Sequence, residues 1–183
     1  MTRHAGDDHK WSVRSAGVYG EKPLLVCATF PILGTNNIVE LYRNPDRKVL
    51  GGNWICCLTE HVIKEDSSLM GTVKRGTKEE LGYNPLQRSI TELRSSFDLS
   101  YTSPEGRLFR WNTRLFVIPI RNIKQLNPDG KEILDLRERP INEVFEEARQ
   151  RDSFYQRFKP KSFMEEIEGY TQKVMSEHEN KTD

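Results

Sequence analysis

An α/β/α sandwich built on a mixed sheet is the fold class this sequence predicts, and three observations predict it. Apolar, β-branched runs of strand length recur along the chain, separated by turns rich in Gly, Asn and Pro. A helix pattern ending at Leu81 follows the third of these runs, and one or two further helix patterns close the chain. Such a strand set is buried only when helices cover both of its faces. At 183 residues the chain fits one domain. With 28 basic against 27 acidic residues, its charge calls for neither nucleic acid nor a membrane as an obligate partner. Cys27, Cys56 and Cys57 form no C-x-x-C pair and suit reduced thiols, so a cytoplasmic location is expected. No apolar run approaches the roughly 18 residues of a membrane span.

Residues 1–10 mix charges with His4 and His9 and read as a flexible N-terminus, although the two histidines beside Asp7 and Asp8 offer metal-ligating groups. The expected domain covers residues 11–175, with a charged tail over 176–183. Trp11 to Tyr19 reads as a short first strand. The run LLVCATFPIL, the turn Gly34-Thr-Asn-Asn37 and the strand Ile38 to Tyr42 predict a hairpin, which Asn44-Pro-Asp46 breaks. Trp54 to Leu58 is the next apolar run, and Thr59 to Ser68 reads as a polar loop. Asp66, Ser67 or Ser68 can each cap the helix that runs to Leu81, where Gly82 and Pro85 stop it. Gly71 and Gly76 inside that helix cost about 1 kcal/mol each relative to alanine, which suggests a close approach by backbone or ligand.

Further on, Ser89 to Leu99 reads as a strand and Tyr101 to Gly106 as a turn. A long strand, Arg107 to Ile120, places Phe109, Trp111, Thr113, Leu115 and Val117 on one face and Arg110, Asn112 and Arg114 on the other. Asn127 to Gly130 is a turn, and Glu132 to Leu136 reads as a short strand. The helix Ile141 to Gln150 turns Val144, Phe145 and Ala148 inward. Residues 153–175, with Phe154, Tyr155, Phe158 and Phe163, predict a last docking helix.

The chemistry concentrates in the first helix. Glu79 and Glu80 sit in its last turn, where the helix dipole disfavours acids by roughly 0.3–1 kcal/mol each. A bound cation reverses that penalty, and Mg²⁺ or Mn²⁺, which take carboxylate oxygens and keep positions for phosphate, fit such ligands. Arg75, four residues before Glu79, can pair with it and aim it. By itself, K-R-x-x-K-E-E equally describes a solvated charged face.

Residues 24–83 resemble the Nudix hydrolase family, whose signature is G-x5-E-x7-R-E-U-x-E-E-x-G-U, with U aliphatic or aromatic. Arg75, Glu79, Glu80, Gly82 and Tyr83 match in register. Gly76 replaces the first glutamate of R-E-U-x-E-E, Ser67 stands at the upstream glutamate and His61 at the leading glycine. The resemblance implies a Nudix-like α/β/α fold, a Mg²⁺ or Mn²⁺ cofactor, and hydrolysis of a diphosphate linkage in a nucleoside diphosphate derivative. It implies Glu79, Glu80 and Arg75 as the catalytic set, with Glu79 and Glu80 as metal ligands. Glu60, His61 or Glu105 are candidates to replace the acid missing at Gly76, and Glu65 or Asp66 the one missing at Ser67. Because of these losses, a nucleotide-binding or regulatory module without turnover is the alternative function.

A local similarity to the isopentenyl diphosphate isomerase branch rests on Trp54 and His61, while Thr59 occupies the place of its catalytic cysteine. His61 also reads simply as a hydrogen-bonded loop residue. Arg110, Trp111 and Arg114 suit phosphate and base binding, by guanidinium forks and indole stacking, and equally suit an ordinary half-exposed strand. The expected partner is a small diphosphate or nucleotide ligand, and the sequence is compatible with a homodimer.

Overall fold

The computed structural model describes residues 24–34, 36–47, 51–63, 65–102, 108–150 and 165–173. Glu105, the Trp11–Tyr19 strand, the terminal segments and Phe154 to Phe163 lie outside them. β1 (Leu24–Leu33) and β2 (Asn37–Arg43) form the hairpin, and Gly34 takes the left-handed conformation at its turn, with φ 63°. The two strands pair only through Ile32↔Ile38 and Leu33↔Asn37. Below that point β1 pairs instead with β4 (Leu58–His61), antiparallel from Val26↔His61 to Thr29↔Leu58.

On its other side β1 runs parallel to β6 (Leu108–Ile120), in register from Leu24↔Trp111 to Leu33↔Ile120. β5 (Thr91–Thr102) adds antiparallel to β6. β2 pairs with both β3 (Trp54–Ile55) and β7 (Ile133–Pro140). The result is a mixed sheet of seven strands.

Strand alternation divides the core into two layers. Cys27, Val39, Leu41, Leu58, Phe116 and Ile118 share one cluster with Val73 and Leu81 of helix α1 (Leu69–Leu81). Ala28, Phe30, Ile38, Leu115 and Val117 share the other with Ile141, Val144 and Phe145 of α2 (Ile141–Gln150). Ile167, in the helical residues 165–173, joins that second layer. Each face thus carries a helix, as the α/β/α expectation requires. No helix among the described residues is long and apolar enough to cross a membrane.

Boundaries differ from the sequence reading, first in the Trp54–Leu58 run, which is not one strand: β3 ends at Ile55, the chain bends at Cys56 and Cys57, and Leu58 opens β4. Thr59-Glu-His61, read as loop, belongs to β4, because pairing with β1 satisfies its backbone while Glu60 takes the buried position an apolar residue would mark. β5 continues to Thr102, into the expected turn, as its ladder with β6 extends to Thr102↔Leu108. β7 runs on to Pro140, through charged residues that β2 holds by pairing from Asn37↔Pro140 to Leu41↔Leu136.

Candidate functional site

Helix α1 is fixed at both ends. Ser68, in extended conformation, caps its start by accepting a hydrogen bond from Gly71 N at 3.1 Å. Gly82, with φ 60°, ends it and donates to Lys78 O. The orphan carbonyls of Glu80 and Leu81 accept from Asp129 N at 3.0 Å and Asn127 N at 2.8 Å. The loop after β6 therefore holds the turn that carries the paired acids.

Arg75 organises the site. Its Nε donates to Asp66 Oδ1 and its Nη2 to Asp66 Oδ2, both at 3.0 Å, a two-pronged clamp. Nη2 also donates to the His61 carbonyl at 2.9 Å, and Nη1 to Glu60 Oε2 at 2.8 Å. Glu79 Oε2 lies 3.5 Å from the same Nη1. Asp66 further accepts from Ile63 N at 3.1 Å and Thr72 Oγ1 at 2.7 Å. Burial pushes the Asp66 carboxyl up, but the Arg75, Ile63 and Thr72 hydrogen bonds outweigh it and hold the group below its ordinary value. The acid absent at Ser67 thus has a neighbour, Asp66, that ties the preceding loop to the helix.

Glu80 and Glu60 meet inside this frame. Both are buried, at 8% exposure each. Burial pushes Glu80 well above the usual carboxylate range; the Glu60 charge, a hydrogen bond with Glu60 and the Glu132 charge add to it, while Arg43 opposes. Burial and the facing acid thus both work against the charged form of Glu80. Glu132 itself pairs with Arg47 at 2.6 Å and with Arg43 at 3.8 Å. Gly76 is buried beneath Glu60: a Cβ built on it would lie 2.1 Å from Glu60 Cγ. Cys27, beside Glu60 in the ladder, lies outside this chemistry, its thiol pushed up to about 12 by burial and by the charges of Asp66, Glu92 and Glu60.

The remaining sequence candidates are spread more widely. Arg110 and Arg114 share the α1 face of β6, since Arg114 pairs with Cys27, whereas Trp111 belongs to the opposite face. Arg114 is hydrogen-bonded to Glu92, and Arg110 is exposed. His61 follows Glu60 in β4, so its side chain belongs to the face away from α1, and what it brings to the site is its carbonyl. Trp54 packs against Tyr42, with ring centroids 5.2 Å apart, and lies under the Arg137 guanidinium at 4.2 Å.

The facing groups of Glu60 and Glu80 are carboxylates, the oxygen donors that a hard divalent cation takes. Among the described residues no three His, Cys, Asp or Glu side chains converge as a finished cage. Glu60 and Glu80 face each other, and Glu79 leans toward Arg75.

Solved structures share this architecture at 12–14% identity. The NUDIX domain of Shewanella oneidensis NrtR, complexed with ADP ribose, matches at 14% identity and TM-score 0.59, covering 86% of this chain and 97% of that one. The MutT protein of Methanosarcina mazei matches at 14% and 0.61, covering 82% and 96%. This is the Nudix fold. A C. elegans Ap4A hydrolase binary complex matches at 12% and 0.53, covering 80% of this chain and 96% of that one. No protein-family model and no curated sequence matches the chain. The sequence alone offers Glu60 and Asp66 as candidates for the missing acids. The signal for Glu60 was an isolated glutamate in a strand-length segment, two residues after the buried Leu58.

Proposed function

We propose that this Nudix-fold protein is a metal-dependent hydrolase of a diphosphate linkage in a nucleoside diphosphate derivative. The observation that carries the reading is the buried Glu60–Glu80 carboxyl pair beside Arg75, at the helix end where Glu79 and Glu80 match the Nudix signature. Glu60 and Glu80 would hold Mg²⁺ or Mn²⁺ between them, and Glu79 would join them by turning from Arg75. Bound there, the cation neutralises phosphate charge and lowers the pKa of an attacking water. Arg75 positions Glu60 and Glu79 from one guanidinium, and Asp66 fixes that guanidinium in turn. Arg110 and Arg114, on the same face of the sheet, supply positive charge for the substrate phosphates. The ADP ribose bound in the NrtR domain supports a nucleotide ligand of this class.

A nucleotide-binding module without turnover is the second reading, favoured by the missing helix acid at Gly76 and by the burial that disfavours a charged Glu80. The two separate on incubation with Mg²⁺ or Mn²⁺ and a panel of dinucleoside polyphosphates, nucleotide sugars and nucleoside triphosphates. The hydrolase releases phosphate-bearing products from at least one class. Thermal stabilisation by a panel member with no products at any metal concentration supports the module instead.

A further inference from the structure

We infer that Glu60 and Gly76 are a reciprocal exchange, in which strand β4 carries into the site the carboxylate that a residue at position 76 would carry from helix α1. The inference rests on the metal-site reading above and deepens it. Position 76 lies three and four residues before Glu79 and Glu80, so all three positions share one side of the helix. A side chain there would project beside Glu80. It cannot, because the volume is taken: a Cβ on Gly76 would meet Glu60 at Cγ, Cδ and Cβ, at 2.1, 3.0 and 3.3 Å. Gly76 has an ordinary helical conformation, so the glycine is required by this contact and not by its backbone.

Glu60 arrives there from the strand side. β4 pairs residue by residue with β1, Cys27↔Glu60, and this register aims position 60 at α1. Arg75 holds the carboxylate from above at 2.8 Å, and Glu80 meets it by hydrogen bond. The space therefore admits one carboxylate, from strand or from helix, and here the strand supplies it. One consequence is that the site spans two elements. Any shift of β4 relative to α1 changes the distance between Glu60 and Glu80, whereas a helix-borne acid would move with its neighbours.

Swapping the two residues tests the exchange. Mn²⁺ affinity is read from the free-ion electron spin resonance signal, and melting temperature is read without metal, for wild type, Glu60→Gln, Glu60→Gly, Gly76→Glu and the double variant Glu60→Gly/Gly76→Glu. Glu60→Gln keeps the shape and is expected to weaken Mn²⁺ binding by about tenfold or more. Gly76→Glu alone is expected to lower the melting temperature, from overpacking against Glu60. The double variant is expected to melt above Gly76→Glu and to regain most of the Mn²⁺ affinity lost in Glu60→Gly. A double variant that binds no better than Glu60→Gly, or Glu60→Gln that binds like wild type while Glu80→Gln does not, overturns the exchange and leaves the metal site standing. Failure of wild type itself to bind Mn²⁺ removes the metal reading and the donor role of Glu60 together. The melting comparison then still reports whether positions 60 and 76 compete for one space.

Discussion

Two buried glutamates, one on each face of the sheet, are treated in opposite ways. Glu40, on the α2 face, is 4% exposed and meets two cations: Arg137 Nε at 2.7 Å and Arg139 Nη1 at 3.7 Å. Arg139 continues to Glu143 and Glu147 of α2, at 3.3 and 2.7 Å, so the cluster ties β2, β7 and α2 together. Glu80, on the α1 face, meets another acid, and its pKa rises. Balanced charge buried among arginines holds a structure together. Two acids held face to face, with Arg75 on Glu60 alone, are the arrangement that the proposed divalent cation would neutralise.

Neutralising each glutamate in turn breaks this contrast most sharply. Glu80→Gln is expected to lower turnover by about a hundredfold or more, with little change in melting temperature, because the amide keeps the shape and removes a group whose charged form burial and Glu60 disfavour. Unchanged steady-state rates would place the metal elsewhere. Asp66→Asn comes next. It breaks the clamp on Arg75 and is expected to cost about 2 kcal/mol in denaturant unfolding, with reduced turnover as Arg75 loses its aim. Glu40→Gln is expected to cost about 1–2 kcal/mol, discounted because Arg137 is 40% exposed, with turnover unchanged. A drop in turnover with Glu40→Gln would erase the distinction between the two faces.

The smallest effect is in pH. Asp66 is held below its unfolded value, so its stabilising contribution is complete above about pH 3.9 and is lost as pH falls through the folded value. Wild type is therefore expected to lose stability on acidification over that range, and Asp66→Asn to lose less, as followed by urea unfolding at stepped pH.

The contrast also explains what the sequence made legible. Strand alternation in β6 and the Ser68 to Gly82 limits of α1 are local patterns, and they could be read directly. The Arg75, Glu79, Glu80 and Gly82 register points to the helix half of the candidate site. β4 was hidden because its inward residue is Glu60, a charge where periodicity expects an apolar side chain, and only pairing with β1 makes it a strand. Gly76 read as a loss for the same reason: nothing in the helix shows that residue 60 fills its space. Glu40 likewise carries no local sign of its two arginines, which arrive from β7 through long-range pairing.

Calorimetric titration of Mn²⁺ into wild type, Glu80→Gln and Glu40→Gln tests the central claim most directly. Saturable binding by wild type and Glu40→Gln, with none by Glu80→Gln, is the expected result. Equal binding by all three, or none by wild type, would contradict a cation site at Glu80.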